Sequence, residues 1–376
     1  MFDPCITHQY QPLRICVRRG FFLGFGRYSV GTMLTFHNPL HQGHAPVHEF
    51  FRGERVPCFE KPARVDYVEE ALQARGHPLT APDVDSAPVL AQVHASRYLA
   101  FLQGAWQQWL TLDPANAAVQ PFPSVWPVRT LRSDVEPDNF VARLGLYSMD
   151  NGTPLAAGTW AAAKAGADAA ASAAARVAQG ARAAFCCTRP PGHHAGPDFM
   201  GGYCFLNNAA VAAQWLRNQG VQRVALLDVD YHHGNGTQSI FYRRADVLFA
   251  SIHGDPRTEY PFYLGHADET GEGEGAGFNL NLPLPAGTSA VQWFAALEQA
   301  CAHIAQYQAG ALVVSLGLDA FEGDPISRFA LTSADFTRLG ERLAGLGLPT
   351  VFVLEGGYAA TELGTNAVNV LEGFEA

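Results

Sequence analysis

None of the seven cysteines forms a CxxC pair, and only Cys186 and Cys187 are neighbours. Thiolate zinc clusters and dithiol redox chemistry both need paired cysteines, so neither is expected. Scattered thiols in a chain this long read as a reduced, cytoplasmic protein. Long apolar runs are also missing, and nothing approaches the ~20 residues that a membrane-spanning helix needs. Basic residues are scarce: 25 Lys and Arg stand against 35 Asp and Glu, a formal charge of −10. That balance argues against a duplex nucleic-acid binder and favours the approach of cationic ligands. There is no internal repeat. What is present is apolar residue, 48% of the 376, enough to bury a large core in one big α/β unit or two smaller ones.

The first 32 residues differ from the rest. Arg14, Arg18 and Arg19 precede Phe21-Phe22-Leu23, but Gly24, Gly26 and Arg27 interrupt the apolar stretch and no clear cleavage site follows. Met33-Leu34-Thr35-Phe36 reads like a start running into a first strand. Residues 1–32 are therefore expected to be an extension outside the fold, followed by a single catalytic domain over 33–376. Residues 61–110 look helical. Residues 111–154, with prolines at 114, 121, 123, 127, 137 and 154, read as a long irregular insertion, a kind of segment that is usually functional.

From residue 155 the pattern becomes regular. An alanine-dense helix stops at Gly180, and Asn207-Asn208 can cap a helix that closes at Gly220. Thr332-x-x-Asp335 resembles a capping box. Apolar runs at 181–187, 221–227, 247–252, 311–318 and 350–354 alternate with helical stretches. This predicts an α/β fold: an open parallel sheet with helices on both faces and an active site at the C-terminal ends of its strands.

Four of those runs end in polar clusters: Arg189-Pro190-Pro191-Gly192-His193-His194, Asp228-Val229-Asp230-Tyr231-His232-His233-Gly234-Asn235, Asp319-Ala320-Phe321-Glu322-Gly323-Asp324, and Glu355-Gly356-Gly357-Tyr358. In a parallel sheet such ends converge. Asp228, Asp230 and His232 alternate, so they share one side of an extended segment. A lone Asp-x-Asp is more often a hydrogen-bonded turn, but His232 and Asp324 add the remaining donors of a metal site. Mixed carboxylate and imidazole ligands suit Zn²⁺, and three protein ligands leave a position open. Of His193 and His194, one can act as general base and acid while the other stabilises charge, with Asp228 and Asn235 as their partners. Tyr358 follows two glycines that would let its phenol approach a carbonyl oxygen.

Together these motifs resemble the zinc histone-deacetylase family from about Met33 to the C-terminus. Within it they resemble most the bacterial acetylpolyamine amidohydrolases, through Pro57-Cys58-Phe59-Glu60, Trp126-Pro127-Val128-Arg129, His253-Gly254-Asp255-Pro256 and residues 366–374. The resemblance implies an arginase/deacetylase-like fold and zinc held by Asp230, His232 and Asp324. It gives His194 the general base and acid role, His193 the transition-state charge, and Tyr358 the amide carbonyl. It also implies a structural potassium ion near Asp228, Asp230, His232, Ser251 and Ile252, with Gly202, Tyr203 and Tyr260 as tunnel walls and Glu49 as an acidic substrate gate. A homodimer built through the insertion and a small cationic acetylated amine as substrate complete the expectation. Two departures stand out: Asn235 replaces an Asp found in some relatives, and the acid of the long loop falls at Val141, near Glu136 and Asp138. Two other readings share these residues, an acetyl-lysine deacetylase with a wider mouth and a binding protein that has lost catalysis.

Overall fold

The computed structural model describes residues 33–376, so the expected extension at residues 1–32 lies outside the described residues. Ten strands follow in order: β1 (Leu34–His37), β2 (His48–Phe51), β3 (Glu54–Pro57), β4 (Leu79–Thr80), β5 (Ala183–Cys187), β6 (Val224–Asp228), β7 (Val247–Gly254), β8 (Asn279–Leu284), β9 (Ala311–Leu316) and β10 (Thr350–Leu354). Eight of them make one sheet in the order β4-β1-β5-β10-β9-β6-β7-β8, with every neighbouring pair parallel. β2 and β3 form a separate antiparallel hairpin. Strands covered on both faces have no polar side to show, which is why β6, β9 and β10 are nearly continuous Val, Leu, Ala and Phe.

Alternate residues feed two cores. Ala184, Cys186, Leu226, Val313, Val351 and Val353 pack beneath the helices Thr159–Ala178 and Asn208–Asn218. Phe185, Ala225, Leu227, Val314, Phe352 and Leu354 pack beneath the helices Ala63–Ala74, Ala290–Tyr307, Ser333–Ala344 and Ala360–Glu375. The alanine-dense helix is buried on most of its circumference, and small side chains are what let it lie close to the sheet. Asn207 caps its helix by accepting from the Ala210 N–H, and the Thr332/Asp335 capping box is formed.

Three expectations change in detail. Residues 61–110 are three helices, Ala63–Ala74, Ala87–Val93 and Ser96–Leu112, with β4 between the first two. The insertion at 111–154 holds a short 3-10 turn at Pro114–Ala118 and a helix at Phe140–Leu146. The hairpin β2-β3 and the edge strand β8 carried no sequence signal strong enough to separate them from loops. The feature that matters most for function is the order β5-β10-β9-β6. The four strands ending in polar clusters are consecutive neighbours at the centre of the sheet, so their loops meet at one edge.

Candidate active site

The loop after β5 is clamped before it delivers its histidines. Glu355, just past β10, accepts from the N–H groups of Gly192 (2.6 Å) and His193 (3.1 Å). On the other side His94 bonds the carbonyl of Gly196 through Nδ1 and accepts the Asn207 N–H at Nε2. So held, His193 Nδ1 donates to Asp228 Oδ2 at 3.0 Å, and His194 Nδ1 donates to Asn235 Oδ1 at 2.7 Å. The two rings lie 4.0 Å apart. Their environments drive them in opposite directions. Burial disfavours a charge on His193, but Asp230 and Asp228 outweigh it and push the imidazole up to about 10. His194 is held well below its ordinary value by burial and by the neighbouring His193 and His232. The surroundings thus favour the charged form at His193 and the neutral form at His194. Gly202 completes this wall: at φ +53°, its α-carbon passes so close that a Cβ would stand 2.1 Å from His194 Cδ2.

Asp230 and His232, two and four residues past the end of β6, meet Asp319 from the loop after β9: ligand atoms of these three lie within 4.8 Å of one another, a group that does not include the expected ligand Asp324. His232 Nδ1 is 3.1 Å from Asp319 Oδ2 and 3.4 Å from Asp230 Oδ1. Neighbouring ligands on a tetrahedron of ~2.0–2.2 Å bonds stand roughly 3.3–3.6 Å apart, which the 3.4 Å between His232 and Asp230 matches, whereas the 3.1 Å to Asp319 is a hydrogen-bond length. Electrostatics agree. Burial opposes a charged imidazole at His232, yet Asp230 and Asp319 win and push it up to about 10, which marks a place that favours positive charge.

Asp324 lies further along the same loop, close enough for its carboxyl to feel both His232 and Asp230. Its Oδ1 accepts from the Ile326 N–H at 3.0 Å and its Oδ2 from the Tyr358 N–H at 2.7 Å. Each oxygen spends one lone pair on the backbone and keeps another. Asp319 is placed differently. It is fully buried, and its Oδ1 accepts the Tyr231 N–H at 2.8 Å, which ties it to the segment that carries Asp230 and His232. Burial and the Asp230 charge push Asp319 up to about 8. The raised carboxyls and raised imidazoles show acids crowded together and in want of positive charge.

Tyr358 is positioned from three sides. Asp324 holds its backbone, the Arg64 guanidinium lies 4.7 Å from its ring centroid, and the Tyr203 ring meets it edge-on at 5.7 Å. Arg64 also donates to the carbonyls of Gly357 and Glu355, both at 2.6 Å. Burial raises the Tyr358 phenol well above its ordinary value, so it remains a hydrogen-bond donor.

These groups open into a cavity of about 560 Å³ whose walls include Glu49, Asp150, His194, Tyr203, Tyr260 and Tyr358. Glu49 is not a solvated surface acid. It is 1% exposed, accepts the Tyr203 hydroxyl at 2.8 Å and the Phe59 N–H at 3.1 Å, and is pushed by burial up to about 7. Asp150 accepts the Tyr260 hydroxyl at 2.6 Å and the Gly202 N–H at 2.8 Å. The acid that the 111–154 segment brings to the cavity is thus Asp150. Val141 packs against the core and Glu136 accepts the Tyr147 hydroxyl.

Sequence reasoning missed Asp150, the bracing role of Asp319, Arg64 and the clamp role of Glu355. Asp319 had a readable signal, its proximity to a strand end. Arg64 had none, because it reaches Gly357 across 293 residues.

A parallel sheet that gathers aspartates, a histidine pair and a tyrosine at its C-terminal edge defines a class. Residues 58–374 match the family described as Histone deacetylase domain, and the chain belongs to that family. The chain is 53% identical over 344 residues to "Acetylpolyamine amidohydrolase 2" of Pseudomonas aeruginosa, covering 91% of this chain and 99% of that protein. It is 45% identical to "Acetylpolyamine amidohydrolase" of Mycoplana ramosa, over 86% of this chain and 94% of the relative. The crystal structure of an acetylpolyamine aminohydrolase from Burkholderia pseudomallei superposes with a TM-score of 0.86 at 41% identity, covering 92% and 99% of the two chains.

Proposed function

We propose that the chain is a zinc-dependent amidohydrolase that releases acetate from acetylated polyamines and related small cationic amines. The observation that carries this reading is one cavity lined by the histidine pair and by His232 of the cation-seeking cluster, with two acids, the buried Glu49 and the half-buried Asp150, in its walls. The names of relatives that match over most of their length support the same substrate class.

Asp230, His232 and Asp324 would hold the zinc, with Asp319 bracing the segment between the first two through the Tyr231 N–H. The 8% exposure of Asp324, against 0% for Asp319, and its bond to the Tyr358 loop favour this division. When bound there, the ion supplies Lewis acidity, drawing density from the amide oxygen and acidifying water. His194, neutral and with Nδ1 committed to Asn235, takes the water proton at Nε2 and returns it to the leaving amine. His193, oriented by Asp228, stabilises the negative charge that develops. Tyr358 donates to the amide oxygen, and Arg64 and Asp324 fix its position. Glu49 and Asp150 meet the substrate's ammonium.

A structural potassium ion is proposed between β6 and β7, with Asp228, Asp230, His232, Ser251 and Ile252 as ligands through side-chain or carbonyl oxygens. Ser251 supports it. His253 is pushed down to about 4 by burial and donates through Nε2 to the Gly265 carbonyl. Its Nδ1 therefore accepts the Ser251 proton, leaving the hydroxyl lone pairs outward. A homodimer through the 111–154 segment is supported by its exposed Val119, Val125, Val128, Leu131 and Val135.

The test is acetate release by zinc-loaded protein from acetylputrescine, acetylcadaverine, acetylspermidine and an acetyl-lysine peptide, with and without chelator. Chelator-sensitive turnover of the small amines above the peptide is expected. A preference for the peptide would establish the acetyl-lysine reading, and no turnover of any substrate would leave a binding protein.

A further inference from the structure

Asn235 creates a problem that an aspartate would not. A carboxylate presents the same oxygens either way round, but an amide turned over presents an N–H₂. In that flipped state Asn235 would donate to His194 Nδ1, the imidazole proton would move to Nε2, and the nitrogen assigned as proton acceptor would be blocked. Something must fix the amide.

The atom that faces Asn235 Nδ2 is the thioether sulfur of Met149, at 3.2 Å. Sulfur here can accept but not donate, so it favours the amide orientation that gives Oδ1 to His194. Met149 is itself held. Its N–H donates to the Met200 carbonyl at 2.9 Å, and its side chain lies over Gly201, where a Cβ would stand 2.1 Å from Met149 Cγ and 2.7 Å from Sδ. The sulfur also lies in a residue that lines the cavity, beside the reacting groups.

We propose that Met149 is a positioning residue that sets the tautomer of His194 through the orientation of Asn235. The kinetic part of this proposal rests on the amidohydrolase reading, while the tautomer part needs no substrate. The variant is Met149→Leu, which conserves volume but removes the acceptor. It is measured alone and together with Asn235→Asp, whose carboxylate has no orientation to choose.

In zinc-loaded protein labelled with ¹⁵N-histidine, long-range ¹H–¹⁵N correlation should show His194 as the Nδ1–H tautomer, with an Nε2–H population appearing in Met149→Leu. The same variant should lose about three- to tenfold in kcat/KM with KM unchanged, the scale of one modest hydrogen bond. In the Asn235→Asp background, Met149→Leu should cost less than about twofold. An unchanged tautomer and full kcat/KM in Met149→Leu would overturn the proposal, as would equal losses in both backgrounds, which would make Met149 a packing residue. Protein that shows the tautomer change but hydrolyses no acetylated amine contradicts the proposed activity, not this role.

Discussion

Two clusters of buried charge flank the loop after β5, and they settle their electrostatics in opposite ways. On one side Glu60 receives a fork from Arg189, Nε to Oε1 at 2.7 Å and Nη2 to Oε2 at 2.5 Å, and a further bond from Arg64 at 3.1 Å. Arg189 also donates to the His41 carbonyl, and Arg64 to those of Gly357 and Glu355. One carboxylate meets two guanidiniums, and the donors left over are directed at backbone carbonyls. On the other side Asp228, Asp230, Asp319 and Asp324 gather around His193 and His232, and the imidazoles are driven up to about 10 to supply positive charge. The first cluster is complete as protein alone. The second is built to be completed by something else. The difference separates a buried charge that holds structure from one that holds a ligand, and neither burial nor perturbed ionisation alone would do so.

Breaking the Glu60 cluster should have the largest effect on stability. Arg189→Met leaves Glu60 buried without its main partner and should cost ~3–5 kcal/mol in urea unfolding, while replacing both residues by apolar ones should recover most of that. Burial would raise Glu60, but Arg189 overrides it and holds the carboxyl down to about 2. A depressed carboxylate stabilises above its unfolded value. This contribution should therefore be full above pH ~4.5 and disappear as pH falls toward 2, and Arg189→Met should lack that acid-dependent loss.

In the neighbourhood of the aspartate cluster, Tyr358→Phe removes a donor and no charge. It should lower kcat by ~10²–10³ with zinc content and unfolding midpoint unchanged. An unchanged kcat would return Tyr358 to a packing role.

Glu49 should give the smallest effect. Burial pushes it up to about 7, so it ionises as pH rises through that value. KM for acetylputrescine should accordingly fall across pH 7, and Glu49→Gln should raise KM roughly three- to tenfold and abolish that fall. A neutral acetamide reporter should not respond. An equal response from both substrates would place Glu49 in the support of the fold.

Much of the central sheet was legible in the sequence. Near-continuous apolar strands alternating with helices specify a parallel sheet, because only burial on both faces tolerates them. That Asp228 and Asn235 partner the histidine pair followed from chemistry, since each imidazole needed an acceptor, whereas which partner serves which ring came from the family resemblance. Other relations were illegible for a physical reason. Arg64 and Asp150 act across long separations through side-chain reach, which no periodicity encodes. The separate tasks of Asp319 and Asp324 turn on where β9 stops and its loop bends, a boundary that apolar patterning leaves loose by a few residues. The hairpin that carries Glu49 was unread because β3 is largely exposed and shows no apolar face.

Zinc affinity of the Asp324→Ala and Asp319→Ala proteins, measured by competition with a chelating dye and set beside circular dichroism of each, tests the central claim most directly. Tight stoichiometric zinc is expected in the wild type and none in Asp324→Ala. Asp319→Ala, which loses a brace and keeps its ligands, should still bind one zinc, about 10- to 100-fold more weakly. Wild-type zinc affinity in Asp324→Ala together with complete loss from a folded Asp319→Ala would contradict the site described here.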